Sequence, residues 1–297
     1  MVDPAREGYV AVPGGQVWYK VVGAGNSIPV LTLHGGPGAG HDYLEPFEAL
    51  ASERPIVLFD QLGCGKSDKP DDVSLWRIER FVKEVSAVRK ALDLERIHLL
   101  GHSWGGWLAI EYMMGKPSGI VSLILASTSA SVLQVAEETA RLKATLPQAV
   151  LNTLHQYEAV GDYHSPEYEN VMMEFYKRFL CRLDPWPESL MRSLNNIMSN
   201  PVPYETMQGP NEFTFTGNLR DWDRTSRLGE IALPTLIMCG RHDELGPACA
   251  ETLHRGIPSS EIRIFEESAH MAHLEETERY LQVVRGFIGR VEGKLGA

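Results

Sequence analysis

The sequence predicts an α/β fold, a mostly parallel sheet covered on both faces by helices, with a lobe of helices inserted late in the chain. Three observations predict it. Short apolar runs alternate with amphipathic helical patterns over residues 1–128 and again over 231–297. Between these stretches, residues 129–230 lose the strand rhythm and read largely as helices. Finally, the apolar run Ile97–Leu100 passes through Gly101-His-Ser103-Trp-Gly105 directly into a helical pattern. This Gly-x-Ser-x-Gly turn between strand and helix presents a serine hydroxyl at the carboxyl edge of a sheet.

Taken in order, Tyr9–Val12 and Gln16–Val22 alternate like antiparallel strands about the Pro13-Gly14-Gly15 turn. Val30–Leu33 is a short buried strand that empties into His34-Gly35-Gly36-Pro37-Gly38. Tyr43–Ala51 has helical spacing, and Ile56–Phe59 reads as another buried strand. Residues 74–92 predict an amphipathic helix with Phe81, Val85, Val88 and Leu92 on one face. The Gly-x-Ser-x-Gly strand and helix follow, then a strand over Val121–Leu125.

The inserted lobe is expected to hold helices over 131–146, 148–160, 166–182 and 187–199, punctuated by Pro147, Gly161, Pro185 and Pro187. Its crowd of aromatic and methionine residues, from Tyr157 to Met198, reads first as the lobe's own core. Lying between two sheet strands, the lobe is expected to cover the carboxyl edge, where open α/β sheets bind ligands. Strands at 234–240 and Ile262–Phe265 and a helix over Glu275–Val291 close the chain. This order resembles the α/β-hydrolase fold with an inserted helical cap.

Composition narrows the function classes. With 28 Lys+Arg against 39 Asp+Glu, the net charge of −11 argues against nucleic acid or an anionic membrane as partner. Four cysteines without C-x-x-C spacing, and no apolar amino-terminal segment, suggest a soluble cytoplasmic protein with reduced thiols.

A serine hydroxyl becomes nucleophilic only when a base takes its proton, and the base needs an orienting acid. In the α/β-hydrolase order the acid and then the histidine follow the serine. Ser103 is the candidate nucleophile. His270, in the loop after the last strand, is the expected base, with His273 one helical turn on as the competitor. Asp243, in Gly240-Arg-His-Asp-Glu244 after the post-lobe strand, is the expected acid, with Glu244 beside it as the rival. An oxyanion needs preorganised N–H donors; those expected are Trp104, next to the nucleophile, and Gly36 in the glycine-rich loop.

The His270-x-x-His273 pair lacks a third ligand at fitting spacing, so no metal site is expected. Asp60-Gln-Leu-Gly-Cys-Gly65-Lys66-Ser67 is not a phosphate loop, since Asp60 stands where glycine is required; it reads as a structural turn. No cofactor is expected.

Assembled, HGGPG at 34–38 with His41-Asp42-Tyr43, DQLGCGKS at 60–67, GHSWGG at 101–106 and GPNEFTFTG at 209–217 resemble the proline iminopeptidase family of serine aminopeptidases. The resemblance covers nearly the whole chain. It implies removal of an amino-terminal residue from short peptides, or release of ammonia from amino-acid amides. It also places Glu212 and Glu244 where the family holds the substrate's α-ammonium. Leu62 stands where many members carry Arg, and Gly106 where some carry Ser, so side-chain preference stays open, as does oligomeric state. An amino-acid amidase, a carboxylesterase using the same residues, and a ligand-binding module on a former hydrolase fold are the alternatives.

Overall fold

In the computed structural model, which describes residues 5–295, eight strands form one sheet. They are β1 (Arg6–Val12), β2 (Gly15–Val22), β3 (Val30–Leu33), β4 (Ile56–Phe59), β5 (Ile97–His102), β6 (Ile120–Ala126), β7 (Thr235–Gly240) and β8 (Ser260–Phe265). The spatial order is β1-β2-β4-β3-β5-β6-β7-β8. β1 and β2, joined by a two-residue turn at Pro13-Gly14, run antiparallel to each other, and β2 runs antiparallel to β4. The remaining pairs are parallel, as in Leu31 opposite Leu99 and Leu125 opposite Ile237.

The helices before the insertion are α1 (Ile78–Ala91) and α2 (Trp104–Met114). Within it lie α3 (Val132–Lys143), α4 (Gln148–Glu158), α5 (Pro166–Phe179), α6 (Glu188–Ser199) and α7 (Val202–Met207). After it come α8 (Gly246–Gly256), the single turn α9 (Ala272–Glu275) and α10 (Thr277–Leu295).

Because strand side chains alternate between faces, the buried strands feed two cores. Leu31, Leu33, Val57, Phe59, Leu99, Leu123 and Ile237 pack with residues of α1, α2 and α8. Their neighbours Val30, Ile56, Leu58, Leu100, Ile124 and Leu236 pack with Tyr280, Val284, Phe287 and Ile288 of α10. Full burial of each such side chain is worth about 1.5–3 kcal/mol. A third, smaller core of Leu146, Leu154, Tyr168, Met172 and Phe175 belongs to the insertion alone. Part of its aromatic and methionine content is therefore its own packing.

Several predicted elements differ in detail. The helical spacing of 43–51 is realised as 3-10 turns over Asp42–Leu50, with Pro46 inside. Proline has no N–H to donate and its ring crowds an α-helical turn. The helix predicted over 74–92 breaks at Trp76-Arg77 into a short 3-10 turn (Val73–Leu75) and α1. α7 was not among the predicted helices; its Pro203 sits in the first turn, where a missing N–H costs nothing.

The two chain passages linking the insertion to the sheet pair antiparallel at Ser131 and Asp223. Val132 N–H donates to the Trp222 carbonyl (3.0 Å) and Arg224 N–H to the Ala130 carbonyl (2.8 Å). The 3-10 turn at Thr225–Glu230 packs its buried Leu228 in the same core as Leu253 of α8 and Ile257 just after it. Among the described residues, no helix is long and apolar enough to cross a membrane.

Candidate active site

Strand order reverses around β3, which lies between β4 and β5, and such switch points leave a crevice at the carboxyl ends of the strands. The loop after β3 carries Gly35 and Gly36, and β5 ends at Ser103. Both border a cavity of about 740 Å³ that also takes in Tyr43, Glu212, Glu244 and His270.

Ser103 caps α2 with φ +55° and ψ −124°, a conformation that L side chains rarely adopt. The surroundings hold it there. Its N–H donates to the Ala126 carbonyl (3.0 Å), and its own carbonyl accepts from Gly106 N–H (2.8 Å) and the Thr128 hydroxyl (2.8 Å). The turn is possible only because chain passes against chain. A Cβ on Gly105 would lie 2.0 Å from the Leu33 carbonyl oxygen, and one on Gly101 2.3 Å from that of Gly105. The side chain of Ser103 faces the cavity, over the positive end of α2.

Asp243 follows β7 and His270 follows β8, so the parallel register of these strands brings the two loops together. His270 Nδ1–H donates to Asp243 Oδ1 at 2.8 Å, and Asp243 Oδ1 also accepts from Leu245 N–H (2.9 Å). Both residues are buried. Burial alone would lower the His270 pKa; the charges of Asp243, Glu244 and Glu212 outweigh it and push it up to about 9. Ser103 and His270 line the same cavity, with no hydrogen bond between them among the described residues. Such contacts are often long before substrate arrives.

His273, the competing base, is turned away. Its Nε2–H donates to the Tyr43 carbonyl (3.0 Å), and burial holds its pKa down at about 3. Glu244, the competing acid, lies on the other side of His270, with Oε1 3.7 Å from Nε2. Burial, then the charge of Glu212, pushes the Glu244 carboxyl well above its usual range. Its Oε2 and Asp243 Oδ2 are buried without a hydrogen-bond partner.

Glu212 reaches the cavity from the segment after α7. Tyr204 O–H donates to its Oε1 and Gln208 Nε2–H to its Oε2 (2.9 Å). In the loop after β3, Gly35 N–H is committed to the Tyr43 hydroxyl (2.7 Å). The next glycine, Gly36, has φ +103° and lines the cavity. Trp104 is the first residue of α2, where a backbone N–H has no partner within its own helix.

One set of residues was not singled out in the sequence. Tyr43 O–H donates to His102 Nδ1 (3.0 Å), and His102 Nε2–H donates to the His270 carbonyl (3.1 Å). With the Gly35–Tyr43 bond this makes a buried chain joining the glycine loop, the serine turn and the His270 loop. Burial keeps His102 neutral. Its only sequence signal was its place inside Gly-x-Ser-x-Gly, since its partners lie 59 and 168 residues away.

The insertion touches the same loops through main-chain atoms. The Phe179 carbonyl accepts from Glu244 N–H (3.1 Å) and His270 N–H (3.1 Å), and the Leu180 carbonyl from Met271 N–H (3.0 Å). Glu275 joins the two sides, accepting from Ala269 N–H (2.6 Å) and from Arg182 N–H.

Two groups of described residues bring metal-ligand atoms close together, His34–Asp60–Cys64 and His41–Asp42–Glu45, and neither includes Ser103, Asp243 or His270. In the first, His34 Nε2 accepts from Gln61 N–H, and Asp60 accepts from His41 and from Lys66 N–H. Asp60 thus ties a structural turn. Leu62 and Gly106, where the sequence departs from the resemblance, lie outside the cavity lining; Leu62 packs under Gly14 and Gly15, and Gly106 lies against Thr128.

Sheet order, serine turn and a His–Asp pair after the last two strands define an α/β hydrolase. The family model described as alpha/beta hydrolase fold matches residues 28–277. The proline iminopeptidase of Heyndrickxia coagulans is 42% identical over 286 residues, 96% of this chain and 99% of that one. That of Saccharolobus solfataricus is 41% identical, covering 96% of this chain and 93% of its own. The crystal structure of proline iminopeptidase from Mycobacterium smegmatis superposes with a TM-score of 0.91 at 35% identity, covering 98% of this chain and all of that one. The chain belongs to the proline iminopeptidase family of α/β hydrolases.

Proposed function

We propose that the protein is a serine aminopeptidase that cleaves the amide bond after a free-amine amino-terminal residue, by way of an acyl-enzyme. Family membership supports aminopeptidase activity. The observation that carries the substrate assignment is the pair of carboxylates, Glu212 and Glu244, bordering one cavity with Ser103 and His270. A hydrolase of neutral esters has no use for two acids there, and leaving Glu244 buried with its Oε2 unpartnered is costly. An α-ammonium supplies the missing partner.

In this reading Ser103 attacks the carbonyl while His270 takes its proton and later delivers it to the leaving amine. Asp243 fixes the imidazole with Nδ1 protonated, leaving Nε2 to face the serine. The oxyanion meets the N–H groups of Gly36 and Trp104. The helical insertion, taken as residues 129–230 over a core of 1–128 and 231–297, roofs the cavity and limits substrates to short peptides or amino-acid amides. The protein acts in the cytoplasm without a cofactor.

Amino-acyl anilides with free and acetylated amines test the assignment. Acetylation should cost the wild type roughly 30- to 5000-fold in kcat/KM, the equivalent of about 2–5 kcal/mol for one lost partner of a buried ion pair. A Glu212→Gln/Glu244→Gln double variant should lose a comparable factor on the free amine and little more on acetylation. Equal cleavage of both substrates by wild type would establish the esterase alternative instead.

A further inference from the structure

The second acid does more than add charge, and the following rests on the proposed ammonium site. His270 has two ring nitrogens, and each faces a carboxylate. Asp243 holds Nδ1 at 2.8 Å, while Glu244 Oε1 stands 3.7 Å from Nε2, the nitrogen that must receive the serine proton. Glu244 is 2% exposed, and its Oε2 has no partner.

The groups around this pair come from every packed element. The loop after β7 gives Asp243 and Glu244, and the insertion gives Glu212 with the phenols of Tyr176 and Tyr204. The serine turn gives His102, with its ring 4.9 Å from that of His270, and α9 gives His273. Both of those histidines are held neutral by burial. Among the described residues, Asp243, Glu244 and Glu212 are therefore the charged groups that set the field at His270.

We propose that the substrate's ammonium switches on the base: by claiming Glu244 and Glu212 it withdraws the carboxylate facing His270 Nε2, and His270 releases its proton to solvent and becomes free to accept that of Ser103. The balance is simple. One positive charge enters with the substrate, and one proton leaves to water. Burial and then the charge of Glu212 raise the Glu244 carboxyl, while His270 is raised, against its burial, by the charges of Asp243, Glu244 and Glu212; an ammonium between them offsets the charge part of each. A substrate with a blocked amine then meets a base already protonated. Selectivity for the free terminus is applied to the chemical step as well as to binding.

The pH profile of kcat/KM for p-nitrophenyl acetate tests this, because that ester brings no ammonium and its leaving group needs no proton. In wild type the rising limb should lie in the alkaline range, near the value of about 9 for His270. Glu244→Gln should move the limb down, raising ester hydrolysis at pH 7 about tenfold for each unit moved, while free-amine anilides are cleaved more slowly. Glu212→Gln, farther from the base, should move the limb the same way and carries the test alone should Glu244→Gln not fold. A limb unmoved in the folded variants, or ester rates reduced at every pH with the limb in place, overturns the inference. If wild type still prefers free over acetylated anilide, only the switch falls; if it does not, the ammonium site falls with it.

Discussion

Ser103→Ala removes one oxygen from a residue whose unusual backbone is held by main-chain bonds and by Thr128, so the fold should be unaffected. Turnover should drop on the order of 10⁶-fold, as when the nucleophile of a comparable serine hydrolase is removed. Steady-state kinetics together with a melting curve check this; a tenth of wild-type activity in a folded variant would remove Ser103 from the chemistry. At this scale the sequence was legible wherever position in the chain carries the information. Gly-x-Ser-x-Gly after a strand, and an acid and a histidine after the last two strands, are spacings along one dimension. Glu212 and His102 are different. His102 owes its place to Tyr43 and His270, both distant in sequence, while Glu212 is held locally by Tyr204 and Gln208 but meets Ser103, Glu244 and His270 only around the folded cavity. Nothing local marks one glutamate in the insertion from another, and only the Gly-Pro-Asn-Glu-Phe motif pointed to it.

Among the elements, the segment that leaves α5 has a task its sequence does not announce. Phe179 and Leu180 hold the Glu244, His270 and Met271 amides, and Glu275 braces Ala269, next to His270, against Arg182. Glu275→Gln keeps the shape but replaces one of two acceptors with a donor that must face an N–H group. A mismatch of that kind costs about 1–3 kcal/mol of stability. We expect a lowered Tm and a several-fold fall in kcat with KM for a free-amine anilide nearly unchanged, since the proposed ammonium site is not touched. An unaltered kcat would mean that the brace holds the fold and has no part in aligning the base. The secondary structure itself was readable from hydrophobic period, and it failed where proline decides. Pro46 tightened a predicted helix into 3-10 turns, while Pro203 sits in the first turn of a helix that was not predicted.

For the molecule as a whole, the cavity of about 740 Å³ sets the scale of what can be cleaved. It lies within the roughly 300–1,000 Å³ usual for small-ligand sites, enough for a few residues and far too small for a folded chain. With α5, α6 and α7 supplying much of its lining, kcat/KM should fall steeply from di- and tripeptides to intact proteins. Digestion of whole casein at a rate near that of a tripeptide would show that the helices do not roof the site. The overall architecture was legible because alternating strands and helices admit few arrangements, and the insertion declared itself by breaking that alternation. Its seat on the sheet was not legible, because it depends on contacts distant in sequence, the Phe179 and Leu180 carbonyls on the loop at His270 and the side chains of Arg192, Ser193 and Asn196 on the segment at residues 42–45.

That dependence bears on how such a protein can change. Every residue type carries the same carbonyl oxygen, so the link from α5 to the His270 and Glu244 loops asks only for a helix ending at the right height. Side chains of α5 that border the cavity, such as Glu169 and Met173, can then be exchanged, and new substrates explored, without removing that link. Change in that wall of the cavity and constancy at His270 and Glu244 are compatible because this link between them is written in the one part of the polypeptide that substitution does not alter.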